Sequence, residues 1–385
     1  MKVLHTNCDY IWTPLHRLMV EQLTEQGVDS VVFSPVYTKK NAQLQPTENE
    51  IVKVCFRKND RFVFHLKQEK IMRAFSDVFC TGRGQWDIRQ FDILHSYYLF
   101  TDGNYTRKMA LKYGLPYVTA VRNTDVNVFF KRLPFLRNVG IRVMLDASKV
   151  FFLSESYRKY VLDRYIPEKY RDRIMEKSLV IPNGIHAFWH ENRFLSRDYD
   201  GTMERFERRE VRLIYVGGID DNKNIGLTLQ AMKKLKSEGW NVHLDIVGPV
   251  VDQKVFDSTV KDAPDVTYTP QIPKEALIQK YREADIFVMP SKTETFGLVY
   301  AEAMSQGLPV IYTRGQGFDG QFPEGEVGFS VDSADSEELR RAIVKIVEQY
   351  QVLSEHCLAG VSRYSWEIIT KKYIKTYSSV INGDC

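Results

Sequence analysis

No apolar run in this chain approaches the roughly eighteen residues that a membrane-spanning helix needs. The opening MKVLHTNCDYIW meets charged and polar residues too early for the apolar core of a signal peptide, so the expected location is cytoplasmic. Cysteine is scarce. Cys8, Cys55, Cys80, Cys357 and Cys385 are odd in number, scattered and without C-x-x-C spacing, which argues against both a disulfide framework and a zinc site. The G-x-G-x-x-G fingerprint with an acidic partner for a ribose is missing, which speaks against a nicotinamide-dependent oxidoreductase. There is no internal repeat, no low-complexity tract and no nucleic-acid-binding motif.

What is present is an ordinary globular composition, 44% hydrophobic and 26% charged, on a chain of 385 residues. That length exceeds what one core usually supports, so two domains are expected. Charge is divided unevenly. Residues 1–185 carry 29 Lys and Arg against 19 Asp and Glu, a net +10, while the remainder carries 24 against 30, a net −6. A basic first half suits an anionic acceptor or a weak peripheral association with an anionic membrane surface, and is equally what a solvated basic face would show.

Strand and helix patterns alternate along the chain, as a doubly wound α/β fold requires. Strands are expected at residues 2–5, 31–33, 52–56, 62–66, 92–95, 116–121, 149–153 and 179–181, and helices at 15–27, 103–113 and 155–164. Pro182, Asn183 and Gly184 then make a turn, and residues 187–210 read as a polar linker. The pattern restarts with LIYVGG and continues through strands at 242–247, 266–268, 286–289 and 308–312 and helices at 274–284 and 336–350. Gly315, Gly317 and Gly320 sit in a glycine-rich loop that would let backbone approach a ligand or merely shape turns, and an amphipathic helix ends the chain.

The chemistry concentrates in DIFVMPSKTETFGLVYAEAMSQGLPVI, residues 285–311. A buried strand stops at Pro290 and Ser291, Gly297 loosens the backbone where a helix begins at Leu298, and Gly307 ends that helix. Glu294 precedes the helix and Glu302 lies one turn inside it. Either carboxylate alone could be the acidic residue that a helix dipole favours. Together, around Phe296 and Gly297 and beside exposed helix N–H groups, they suit a polyol next to a phosphate.

The run PS-x-x-E-x-FGL-x-x-x-EAM-x-x-G-x-PV resembles the signature of the retaining glycosyltransferases of family 4 (glycosyltransferase group 1). The resemblance implies a GT-B fold, two Rossmann-like domains facing across a deep cleft. Residues 1–184 would bind the acceptor, 185–210 would link, 211–362 would bind the nucleotide sugar, and the helix in 363–385 would return to the first domain. It implies that Glu294 contacts the donor sugar while Glu302 holds the ribose, with Phe296, Gly297 and Leu298 against the donor. The family places an Arg and then, five positions later, a Lys on the diphosphate; Lys223 fits the second place and Gly218 occupies the first. His95, at a strand end, would line the cleft, and Arg122, followed by Asp125, stands where many relatives have a His. An Arg cannot act as a base but can hold an anion.

Departures remain. The first loop lacks the family's glycine pair and offers Tyr10 and Trp12 instead, either to stack on a sugar or to pack on the domain, and His186 replaces the Asp of the family's PNG-I-D turn. The triplet Asp198-Tyr199-Asp200 lies in a loop rather than at a strand end, so no metal and no cofactor is expected. The reading is a transferase that moves a sugar from a nucleotide diphosphate sugar, UDP foremost, to a hydroxyl of a polysaccharide or glycolipid acceptor, working in the cytoplasm or at the inner face of the membrane. The alternative is a non-catalytic nucleotide-sugar-binding subunit.

Overall fold

The structure is a computed structural model that describes residues 1–36, 50–55, 64–81, 86–195 and 197–384. It divides into two compact units, one of residues 1–153, 158–184 and 366–385, the other of residues 154–157 and 185–365.

The first unit holds a seven-stranded sheet, β1 (Lys2–Thr6), β2 (Asp29–Val36), β3 (Glu50–Cys55), β4 (Ile93–Ser96), β5 (Tyr117–Ala120), β6 (Lys149–Phe152) and β7 (Ser178–Val180), in the order β3-β2-β1-β4-β5-β6-β7. All neighbours are parallel. Parallel strands need crossovers, and helices supply them. The first is Pro14–Glu25, where Thr13 accepts a hydrogen bond from the Leu15 N–H and Pro14 presets the first turn. Met19, Val20 and Leu23 of that helix are buried with Ile93, Tyr97 and Phe151. The C-terminal helix Trp366–Asn382 adds Ile369, Tyr373, Tyr377 and Val380 to the same core.

The second unit repeats the plan with β8 (Glu210–Val216), β9 (Asn241–Val247), β10 (Val266–Thr269), β11 (Ile286–Val288), β12 (Val310–Thr313) and β13 (Gly328–Val331), in the order β10-β9-β8-β11-β12-β13 and again all parallel. Chain direction across the sheet reverses between β8 and β11, whose residues pair as Leu213 with Ile286 and Ile214 with Phe287. In open sheets of this kind the crevice outside the carboxyl ends of the strands at such a reversal is where ligands bind. The loops after Val216 and after Val288 meet there.

Two expectations fail. Residues 64–66, expected to be the end of a strand, open the helix Phe64–Phe79. Ile71, Phe75 and Phe79 recur every fourth residue and are all fully buried, so the helical period outweighs the local aromatic run. Residues 56, 62 and 63 of the expected strands lie outside the described residues. The stretch expected to be a polar linker instead carries two helices, Ala187–Glu191 and Tyr199–Glu207. Trp189 and Phe206 bury against Tyr281 and Tyr350 of the second unit. The Asp198 side chain accepts from the Gly201 N–H and caps the second of these helices, and Asp200 lies in its first turn, which gives the acidic triplet a structural role.

Candidate donor site at the sheet reversal of the second unit

The strand β8 runs into Gly217 and Gly218. Gly248, at the end of β9, lies so close that a Cβ there would collide with the Gly217 carbonyl. The chain then makes the short turn Asp221–Lys223, capped by Asp220, whose carboxylate accepts from the Lys223 N–H at 3.0 Å. Asn224 adopts a left-handed conformation (φ 58°), and its amide donates to the carbonyls of Pro290 at 3.0 Å and Ser333 at 2.8 Å.

Asn222 stitches this turn to the loop after β11. Its amide donates to the Thr293 carbonyl at 2.9 Å and accepts from the Thr293 N–H at 3.1 Å, while its own carbonyl accepts from the Lys292 N–H at 2.8 Å. This pairing sets Lys223 opposite Glu294, and Lys223 Nζ donates to Glu294 Oε2 at 2.7 Å. Both side chains are mostly buried, with 21% and 13% of their surface exposed. The other carboxylate oxygen, Oε1, accepts from the N–H of Thr295 at 2.9 Å and, at a longer 3.4 Å, from that of Phe296.

The glycine-rich loop holds the Glu294 backbone from the other side. Gln316 accepts from the Glu294 N–H at 2.9 Å, and the Gly317 N–H donates to the Glu294 carbonyl at 2.8 Å. Any side chain at Gly317 would run into the Thr295 carbonyl, so this close approach requires glycine. Phe296 is buried with its ring edge-on to Tyr364. Gly297 is left-handed (φ 75°) and starts the helix Leu298–Ser305; a Cβ there would lie 2.5 Å from the Tyr300 ring. Tyr300 in turn donates to the Met289 carbonyl at 2.7 Å, locking the helix onto β11.

Glu302 sits one turn into that helix, and its carboxyl accepts from the Trp189 indole N–H. Burial pushes its pKa up to about 7, and the indole hydrogen bond only partly offsets this. At Gly218 the carbonyl accepts from Tyr215 at 2.7 Å, and a Cβ would lie 2.8 Å from Val251, so a larger residue there would require Val251 to shift.

The structure therefore brings together Lys223, Glu294, Phe296, Gly297 and Leu298 at one end of the sheet, with Gly218 on the neighbouring loop. His95 and Arg122 belong to the first unit. His95, expected to line a cleft, is fully buried in the core of that unit. It is paired with the Tyr377 hydroxyl at 2.7 Å, stacked between Tyr97 and Tyr373, and held neutral by desolvation. A ring with no exposed face is not placed to reach a substrate. Tyr377→Phe is expected to cost about 1–3 kcal/mol of stability, because it strands a buried imidazole nitrogen; thermal unfolding of the purified variant measures this.

Arg122 is likewise buried, donating to Asn183 at 2.8 Å and to Tyr373, and its backbone N–H is one of three that satisfy the buried Asp125 carboxylate. Tyr10 packs in the core, whereas Trp12 is exposed. His186 caps its helix through Nδ1, accepting from the Phe188 N–H at 3.0 Å, as an Asp would. Among the described residues, no group of three or more His, Cys, Asp or Glu is arranged to hold a metal. No described helix is long and apolar enough to cross a membrane.

Sequence reasoning missed Asn222, Gln316 and Trp189. A polar residue inside a polar turn carries no pattern, and Trp189 lies in the stretch expected to be a linker.

Comparisons with known proteins fit this geometry. The sulfoquinovosyl transferase SQD2 of Arabidopsis thaliana is 29% identical over 186 residues, which are 47% of this chain and 36% of that protein, so the chain spans about a third of this relative. The sucrose-phosphate synthase of Thermosynechococcus elongatus superposes over all of both chains with a TM-score of 0.73 at 17% identity. Anabaena Alr3699/HepE, solved with UDP and glucose, superposes over 98% of this chain and all of its own with a TM-score of 0.68 at 15% identity. These likenesses show the fold, the two-domain Rossmann-like α/β arrangement known as GT-B. Residues 203–357, which contain the Lys223–Glu294 pair, the Phe296–Leu298 turn and Glu302, match the family of glycosyl transferases group 1.

Proposed function

We propose that the chain is a retaining, metal-independent glycosyltransferase that takes a sugar from a nucleotide diphosphate sugar, most readily a UDP-sugar, to a hydroxyl of a polysaccharide or glycolipid acceptor. The observation that carries this reading is the meeting of Lys223 and Glu294 at the reversal point of the second sheet, inside the residues that match the family. Lys223 and the first N–H groups of the Leu298–Ser305 helix would neutralise the diphosphate as it leaves. Glu302 would accept from the ribose hydroxyls, and Glu294 from those of the sugar. In the reaction the anomeric carbon loses its bond to the phosphate oxygen and gains one to the acceptor oxygen on the same face, and a donor phosphate oxygen takes the acceptor proton. No side-chain base is then needed. The presence of UDP and glucose in HepE supports UDP as the first nucleotide to try.

A second reading, a nucleotide-sugar-binding subunit without catalysis, draws on Gly218, where the family's Arg would require Val251 to move. A thermal-shift screen of nucleotides and nucleotide sugars tests donor binding, since a ligand at a hundred times its Kd stabilises by about 2.7 kcal/mol. A protein whose melting temperature no nucleotide or nucleotide sugar shifts would contradict both readings.

The acceptor side would operate at the inner face of the membrane. In the first unit Phe135 is 73% exposed, with Lys131, Arg132 and Arg142 also exposed. An exposed aromatic side chain in a segment that also exposes cations suits an anionic bilayer surface. Sedimentation with anionic vesicles is expected to carry the protein down at low salt and to release it above about 0.1 M, where charges are screened within about 10 Å. Equal binding to neutral vesicles would contradict an electrostatic attachment.

A further inference from the structure

The Glu294 carboxylate is held by an ammonium on one oxygen and by backbone N–H groups on the other. A cation beside N–H groups at the approach to a helix is the arrangement that binds a phosphate oxygen. We propose that Glu294 acts as an internal anion that competes with the diphosphate for Lys223, and that this competition makes the site favour an intact donor over the free nucleoside diphosphate it releases. The inference rests on the reading of Lys223 as the diphosphate contact.

Lys223 and Glu294 are mostly buried, so neither can exchange its partner freely for water. When a diphosphate takes the ammonium, Glu294 keeps the Thr295 N–H at 2.9 Å and the longer contact to Phe296, and gains a polyanion as neighbour. An intact donor compensates, because its sugar hydroxyls donate to the carboxylate that Lys223 has left. A free nucleoside diphosphate has no such hydroxyl at that place. It binds against an uncompensated carboxylate, and the original ion pair draws Lys223 back as it leaves. Glu294 would thus serve both in recognising the sugar and in expelling the product.

Titration calorimetry with the nucleoside diphosphate that binds the protein best, among UDP, ADP and GDP, tests the proposal in a double-mutant cycle. Glu294→Gln keeps the shape and removes the charge. It is expected to bind the diphosphate about two- to fivefold more tightly, the range that one partly exposed ion pair can supply. In the Lys223→Ala background the same change is expected to bring much less. A melting curve for each variant establishes that it is folded, and Glu294→Asp, which keeps the charge, provides a second substitution that should not tighten binding as Gln does. If Glu294→Gln leaves diphosphate affinity unchanged or lower while Lys223→Ala weakens it, the competition is overturned and the site assignment stands. An equal gain with and without Lys223 also overturns it, since the carboxylate would then act by general repulsion. If Lys223→Ala binds the diphosphate as the unmodified protein does, the site assignment itself fails and the competition fails with it.

Discussion

Lys223→Ala is expected to weaken binding of a nucleoside diphosphate by about tenfold to a hundredfold, the loss that follows from removing a charge-assisted contact of about 1.5–3 kcal/mol. Three features put the effect at this size. The Lys223 backbone is fixed by the Asp220 cap and by the Asn222 stitch to the neighbouring loop, so little ordering of the turn is needed when the side chain meets a ligand. Gly218 brings no second charge where the family has an Arg, which leaves Lys223 with more of the neutralisation. Removal of the ammonium also turns the Glu294 carboxylate into an unpaired neighbour of the phosphate. Transfer is expected to fall further than binding, because the charge on the diphosphate grows as the glycosidic bond breaks. Calorimetry with UDP reads the first effect. An affinity equal to that of the unmodified protein would remove Lys223 from the site. Lys223→Arg tests geometry, since the longer planar guanidinium would have to displace the Asn222-anchored turn to reach the same oxygen.

A comparable loss is expected at Glu302, and it should depend on pH. Its carboxyl lies against Trp189 and near Tyr281, and its pKa is raised from 4.5 to about 7, chiefly by desolvation. In the proposed site ribose hydroxyls would donate to the ionised form, so nucleotide binding would require that form and favour it. Affinity is therefore expected to fall as pH drops from 8 to 6, by up to about tenfold per unit below the midpoint. The diphosphate itself titrates near pH 6 (about the second phosphate pKa), and Glu302→Gln separates the two: the variant should bind more weakly at pH 8 and retain only the ligand's own pH dependence. Stability responds in the opposite sense. The folded protein holds the Glu302 proton more tightly than the unfolded chain, so this group's contribution is fully present below about 4.5 and is lost as pH rises through about 7. Calorimetric titrations across that range, for both proteins, measure the slope. A slope identical in the two would take Glu302 out of nucleotide recognition.

Much of the second unit was legible in the sequence because its strands are short, apolar and punctuated by glycine or proline. The run from Asp285 to Ile311 shows strand, loop, glycine, helix and strand in an order that admits few other readings, and the structure has those elements there. The placing of Lys223 was harder to read, since 71 residues separate it from Glu294. Only the parallel pairing of β8 with β11 brings the two together. The first unit was less transparent. Strand-end residues such as His95 look available in sequence, but the C-terminal helix covers that strand with Tyr373 and Tyr377 and takes the imidazole as a hydrogen-bond partner. Arg122 is similarly absorbed by Asn183. The expected linker failed because its apolar residues, Trp189 and Phe206 among them, are few and widely spaced, yet each fills a specific gap against a buried tyrosine.

The central claim is that the Lys223–Glu294 site cleaves a nucleotide diphosphate sugar in order to glycosylate a hydroxyl. The most direct measurement is release of the nucleoside diphosphate from a panel of UDP-, ADP- and GDP-sugars, with and without hydroxyl acceptors, by the unmodified protein and by Lys223→Ala. The expected result is release from one nucleotide class, raised by an acceptor, strongly reduced in the variant, and accompanied by a product whose anomeric configuration, read by NMR, matches that of the donor. Tight binding of a nucleotide sugar with no release under any acceptor would contradict the claim and identify the chain as a binding subunit.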